Sequence, residues 1–146
     1  MQTEKVIEYI VNWLKDYATK AGVKGYVIGV SGGVDSGVVS TLCAKTGLKV
    51  LALEMPIRQQ KDQASRALEH IDFLKNKFPN VEGFTVDLNE PFEALYKTFD
   101  VKDDEFPAEK LAFANTRSRL RMLTLYYYGQ INGLLVCGTG NKVEDF

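Results

Sequence analysis

The residues with the clearest chemical content lie in one short run, Gly29-Val30-Ser31-Gly32-Gly33-Val34-Asp35-Ser36. Paired glycines let a backbone approach a ligand closely and take up positive φ without steric cost. Ser31 and Ser36 add hydroxyl donors suited to phosphate oxygens. An apolar run, Tyr26 to Val30, leads in, and an apolar-periodic segment, Val38 to Cys43, leads out. Strand, tight loop and helix in that order make an anion site. The first N–H groups of a helix have no internal partners, and the helix dipole favours negative charge there. A Ser- or Asp-capped turn would use the same residue types, but it requires neither the strand before nor the helix after.

Asp35 decides which anion site this is. Counted from Gly29, a Walker A loop would need Gly at Val34 and Lys at Asp35, and the dinucleotide fingerprint would need Gly at Ser31. A carboxylate beside a polyphosphate repels it unless a cation lies between them. Asp35 therefore points to a Mg2+ whose ligands come from protein and phosphates together. A second loop, Gly138-Thr139-Gly140-Asn141-Lys142-Val143-Glu144, repeats the logic with a hydroxyl at Thr139 and a carboxylate at Glu144.

The elements needed to position these loops can be read in order. Val6, Ile7, Ile10, Trp13, Leu14 and Tyr17 follow helical spacing behind a Thr3 N-cap, with Gly22 as the stop. On this stripe Trp13 reads as core or interface rather than a ligand contact. Tyr26–Val30 is nearly continuous in apolar residues, as in a strand covered on both faces. The helix after the loop ends near Gly47, and Lys49–Glu54 forms the second strand. A strand, helix and strand of this length imply a parallel crossover. Met55 and Arg58 then lie at the strand's C-terminal end, where ligands gather in open α/β sheets. Arg58 reads equally as a ligand contact or a solvated loop charge. A third helix opens at Asp62 or Ser65 and carries the only histidine, His70, which reads as a surface or partly buried residue. Val81–Asp87 alternates as a third strand, and Asn89 caps a short helix. Pro107 begins the longest helix, to about Gly129, with Leu111, Ala114, Ser118, Met122, Leu125 and Tyr126 on one side. Arg119 and Arg121 lie about 200° apart on it, so only one can reach deep into a given pocket. Gly133–Cys137 is the fourth strand. The fold expected is α/β, an open doubly wound parallel sheet with helices on both faces, in one domain, 1–146.

Bulk properties exclude other classes. A net charge of −1 gives no electrostatic footprint for nucleic acid. No apolar stretch reaches the ~18 residues of a membrane span. Cys43 and Cys137 fit no metal or redox spacing and read as buried thiols, which with the lack of a signal sequence suits a reducing, cytoplasmic setting.

Ser31-Gly32-Gly33-Val34-Asp35-Ser36 resembles the S-G-G-x-D-S loop of the N-type ATP pyrophosphatases, which adenylate a substrate oxygen with loss of pyrophosphate. Asn115-Thr116-Arg117-Ser118-Arg119-Leu120-Arg121-Met122 resembles the N-x-[KQR]-[AS]-R-x-R-M helix of the NAD synthetases within that superfamily. The loop from Gly138 to Glu144 resembles their G-T-x-x-x-x-E segment. The three motifs stand in the family's order across nearly the whole chain. The first loop departs at Val34, where many members carry Gln.

The resemblance implies ATP as co-substrate, held by Gly29, Val30, Ser31, Gly32, Gly33, Val34, Asp35 and Ser36, with Met55 near adenine and Thr139 also touching ATP. It implies Mg2+ on Asp35 and Glu144, and deamido-NAD on Arg119. The implied reaction adenylates the nicotinate carboxylate of deamido-NAD and then amidates it with ammonia, giving NAD, AMP and pyrophosphate. A homodimer is implied as well, and no nucleic-acid or membrane partner. The family continues past the position of Phe146 with a mobile loop, another strand and a tail, so the resemblance implies a chain lacking the family's C-terminal part. Two other readings share the first loop: another ATP pyrophosphatase, of GMP-synthetase or tRNA-thiolation type, and a non-catalytic ATP-binding module.

Overall fold

The computed structural model describes residues 2–103 and 105–140. The elements run α1 (Thr3–Ala21), β1 (Gly25–Gly29), α2 (Val34–Lys45), β2 (Lys49–Glu54), α3 (Lys61–Lys77), β3 (Val81–Thr85), α4 (Asn89–Thr98), α5 (Pro107–Asn132) and β4 (Leu134–Val136). The strands form one parallel sheet in the order β3-β2-β1-β4. The α/β doubly wound architecture read from the sequence is the one observed.

Alternation along the strands sorts the core into two layers. Tyr26, Ile28, Val50, Ala52 and Val81 pack with Leu14 and Ala18 of α1, Cys43 of α2, and Ile71 and Leu74 of α3. Val27, Leu51, Leu53 and Leu134 pack on the other face with Phe92 of α4 and Phe113 and Leu125 of α5. A sheet covered on both faces needs apolar residues at successive positions, hence the unbroken runs of β1 and β2. Gly129 and Gly83 allow close approaches between helix and sheet and between neighbouring strands. A Cβ at Gly129 would lie 2.9 Å from the Leu134 carbonyl oxygen, and one at Gly83 would lie 2.8 Å from that of Ala52.

Some local expectations are corrected. Thr3 and Asn89 are the first helical residues of α1 and α4, with Gln2 and Leu88 at the caps, and α3 opens at Lys61 rather than Asp62 or Ser65. The Asn89 side chain instead accepts from the Arg58 N–H at 2.6 Å and donates to Asp87 at 2.9 Å, tying two loops together. Of the two readings for Trp13, core or interface, the core is ruled out; Trp13 is 53% exposed and lies against Tyr17 with ring centroids 5.1 Å apart. On α5 the buried residues are Phe113, Thr124, Leu125 and Gly129, while Leu111, Met122 and Tyr126 are exposed. No helix among the described residues is long and apolar enough to cross a membrane.

Among the described residues Phe92 is the largest fully buried side chain, and it meets Phe113 edge-on at 5.8 Å. Phe92→Ala should therefore cost about 3–5 kcal/mol through lost burial and an unfilled cavity. Urea denaturation measures this. A loss under about 1 kcal/mol would show that α4 docks without this anchor.

Candidate functional site

The chain leaves β1 and turns into α2 through a loop fastened by its own hydroxyls. The Ser31 N–H donates to Ser36 Oγ at 3.1 Å, the Gly33 N–H donates to Ser31 Oγ at 3.2 Å, and Ser36 Oγ donates to the Gly33 carbonyl at 3.2 Å. Ser36 is buried and its hydroxyl serves the loop, whereas Ser31 is exposed. Gly32 has φ +86°, and a Cβ there would lie 2.7 Å from the Gln63 carbonyl oxygen of α3. Only glycine combines that backbone with that clearance. Gly33 occupies the N-cap of α2, and Val34 and Asp35 stand in the first turn. Val34 is exposed and Asp35 half-buried.

The strand order reverses at β1. From it the chain passes to β2 and β3 on one side, while β4 returns on the other. Crevices form where neighbouring parallel strands send their connections to opposite faces. A cavity of about 320 Å3 lies at this point, and Gly29, Val30, Ser31, Met55, Gly138 and Thr139 contribute to its wall. Two loops more than one hundred residues apart in sequence thus meet, each at the exit of its strand. Ala114, Ser118, Met122 and Leu125 of α5 close the far side.

Gly32, Gly33, Val34, Asp35 and Ser36 follow Ser31 in the chain but do not line this cavity, and Arg119 is exposed and lines neither it nor the adjoining one. Glu144 lies outside the described residues. Among those described, no cluster of three or more His, Cys, Asp or Glu side chains could hold a metal ion.

Arg121 enters the cavity in Arg119's place. Its Nε donates to the Met55 carbonyl at 2.9 Å. Burial, and then the charge of Arg117, hold its pKa below the ordinary guanidinium range. Arg121 also joins Arg117, Arg58, Gln59 and Gln63 around an adjoining cavity of about 560 Å3. Sequence reasoning missed this assignment. The available signal was the spacing Arg117–Arg121, four residues on one face, continued by Ala114, Ser118 and Leu125. Arg58 is held rather than free to swing: its guanidinium makes paired bonds to Glu93 at 2.6 and 3.0 Å and lies over the Tyr96 ring at 4.5 Å. That hydrogen bond, with Arg58's charge, holds the Glu93 carboxyl below its usual range.

His70 braces the loop from behind. Ser40 of α2 donates to the Ser36 carbonyl at 2.6 Å, and its oxygen lies 2.9 Å from His70 Nε2. Because Ser40 gives its hydrogen to the backbone, Nε2–H of His70 is the donor to Ser40. Burial lowers the His70 pKa, and a hydrogen bond to the Gly37 backbone opposes the shift.

The family model described as NAD synthase matches residues 6–146. The NH(3)-dependent NAD(+) synthetase of Finegoldia magna is 37% identical over 145 residues, which are 99% of this chain and 56% of that protein. The enzyme of the same name from Carboxydothermus hydrogenoformans is 38% identical, with 97% and 56% covered. Among solved structures, NMN synthetase from Francisella tularensis superposes with a TM-score of 0.82 at 34% identity, covering 97% of this chain and 56% of that one. NH3-dependent NAD synthetase from Campylobacter jejuni, in complex with the nitrate ion, gives 0.84 at 30% identity, with 99% and 59% covered. The chain spans a little over half the length of these relatives.

The lowered His70 pKa has a defined consequence for stability. The unfolded chain takes up a proton near the ordinary value of 6.5, while the folded chain resists it. Stability present above that pH is therefore lost as pH falls through 6.5 toward the folded value. Urea midpoints measured at about pH 7.5 and about pH 5.5 should drop, and His70→Gln should flatten the drop. An equal drop in the variant would assign the effect to other groups.

Proposed function

The chain belongs to the NAD synthase family, and from that premise we propose that it carries the ATP and acid-substrate half of an ammonia-dependent NAD synthetase. The observation that carries the reading is the cavity where the β1 and β4 exits converge beside an anion-binding helix start. The nicotinate carboxylate of deamido-NAD would attack the α-phosphorus of ATP and expel pyrophosphate. Ammonia would then add to the acyl carbon of the adenylate and expel AMP. No covalent bond to the protein is needed. The demands are alignment of the reacting atoms and neutralisation of phosphate charge.

Each residue has a share in that work. N–H groups at the start of α2 point toward the pyrophosphate portion of ATP, with the dipole adding ~0.3–2 kcal/mol. Gly29, Val30 and Met55 supply a mostly backbone and apolar wall for the adenosine portion, with Thr139 opposite. The Asp35 carboxylate is a hard oxygen donor beside the phosphate position, which fits Mg2+ with the remaining ligands drawn from phosphates, water and Glu144. When bound, Mg2+ supplies charge neutralisation on the phosphates. Arg121 lines both cavities, suited to the anionic junction of ATP and acid substrate. Arg119 takes part in deamido-NAD binding on the outer side of α5. There Leu123, Tyr126, Tyr127 and Ile131 are 58–66% exposed, which supports a partner-covered face and a homodimer. A cytoplasmic, single-domain unit goes with this reading.

The NMN synthetase relative favours one specific alternative, in which the acid substrate is the mononucleotide. Pyrophosphate release from Mg-ATP and ammonium separates the two. It is to be measured with deamido-NAD and with nicotinate mononucleotide, on this chain and on the longest natural protein containing it. Release dependent on deamido-NAD is expected. Dependence on the mononucleotide alone would move the substrate, and release with neither would remove the family reaction.

Two substitutions probe the roles. In an active protein Asp35→Asn should cut Mg2+-dependent pyrophosphate release by roughly two orders of magnitude, the scale of one lost charge-stabilising group, while the melting curve stays in place. Unchanged release would take Asp35 out of the metal site. Arg119→Ala should raise the deamido-NAD concentration needed and leave ATP binding alone; equal losses for both ligands would mark a structural residue.

A further inference from the structure

Cys43 and Cys137 stand far apart in sequence but come together in the fold. Cys43 is on the sheet-facing side of α2 and is fully buried. Cys137 follows β4 directly and remains in register, its N–H donating to the Val27 carbonyl at 2.9 Å. It shares the face of Leu135, and both pack on the cluster that contains Cys43. The two thiols lie near enough to act on each other's ionisation, and the Cys137 thiol donates to the Gly138 carbonyl at 3.9 Å. Cys137 is half-buried and forms part of the wall of the 320 Å3 cavity. One thiol is thus reachable from the cavity, with its neighbour directly behind.

We propose that Cys43 and Cys137 are a redox pair, in which exchange with a small-molecule disulfide closes a crosslink between α2 and the end of β4. The thiolate of Cys137 attacks the small disulfide, which leaves as one thiol equivalent, and a mixed disulfide remains on Cys137. Cys43 then loses its proton and attacks the Cys137 sulphur, releasing the second thiol. Two protein thiols are oxidised and one small disulfide is reduced to two thiols. The order of events follows from access. Cys137 lines the cavity, so a small disulfide meets it first, whereas Cys43 is fully buried and can react only with the adduct formed beside it. Its thiolate attacks the Cys137 sulphur of that adduct and the second thiol leaves.

The crosslink would join the helix that begins at the 29–36 loop to the strand whose exit carries Thr139. Drawing Cys137 toward α2 pulls Gly138 and Thr139 from the cavity. This consequence rests on the nucleotide reading of the cavity; the crosslink does not.

The test exposes the folded chain to glutathione disulfide, quenches with an alkylating agent, and maps peptides by mass spectrometry. The expected product is a peptide pair linked through Cys43 and Cys137, two hydrogens lighter than the free peptides. Cys43→Ala should stop at a glutathione adduct on Cys137. Two free alkylated thiols in folded protein, or linkage only after denaturation, would overturn the proposal. A stable glutathione adduct on native Cys137 would do so as well. A fluorescent ATP analogue then reads the effect on the cavity. Weaker binding by the crosslinked form than by the reduced form is expected. Equal binding would overturn the effect on the cavity. Failure of the reduced form to bind would count against the nucleotide reading, leaving the peptide result to decide the crosslink.

Discussion

Gly32 crosses α3 with no space for a side chain, 2.7 Å between an imagined Cβ and the Gln63 carbonyl oxygen. This close pass fixes where α2 can begin. The loop could not take its left-handed turn elsewhere without lifting α3 from the sheet, because Ala67, Ile71 and Leu74 of that helix are buried in the same layer. The hydroxyls of Ser31 and Ser36 hold the turn from within, and Ser40 with His70 holds it from behind. Backbone N–H groups can serve an incoming anion only if they are already aimed when it arrives. The loop is therefore a rigid fixture of the α2–α3 layer rather than a flexible strap.

Much of this was legible because the signals are local. The runs Tyr26–Val30 and Lys49–Glu54, the glycines around Ser31, and Pro107 at the start of α5 each declare their conformation through neighbours in sequence. The parallel pairing of the first two strands also followed, since a connection of that length implies a crossover. What stayed hidden depends on contacts between distant segments. Nothing near Cys43 announces Cys137. Nothing near His70 announces Ser40, and a lone mid-helix histidine does not reveal its partner. Trp13 sits on a helical stripe that periodicity assigned to core or interface, and within it Leu14 and Ala18 reach the sheet while Trp13 does not. The stripe was wider than the face the sheet could cover. Candidate caps failed for a related reason: Asn89 was recruited to hold the Arg58 backbone, a long-range demand that overrode local capping.

The arginines show how environment divides like residues by role. Arg58 and Glu93 are each about two-fifths exposed, so their pairing is worth little as stability. It does fix orientation: with Asn89 on its N–H, Arg58 can keep a backbone φ of +48°, where a side chain is normally unfavourable. Its charge is balanced before any ligand arrives. Arg121 differs. Its hydrogen-bond partner is a neutral carbonyl and it is partly desolvated, which makes it the more receptive cation for an anion entering either cavity.

That difference bears on why two cavities should share one guanidinium. The adenylation proposed above would bring a carboxylate to a phosphate, and like charges would meet at the moment the bond forms. A cation placed in only one cavity would favour one reactant and leave the other repelled. A cation in the wall common to both is nearest the point where the two anions must converge, and there its attraction to each offsets their mutual repulsion. Arg121 belongs to both cavities, and Met55 fixes its Nε at the end of β2. The 3.6-residue turn of α5 that carries Arg121 inward turns Arg119 outward. One helix can thereby serve the inner meeting point of two ligands and an outer surface at the same time, which is a reason for alternating arginines that a single pocket would not require.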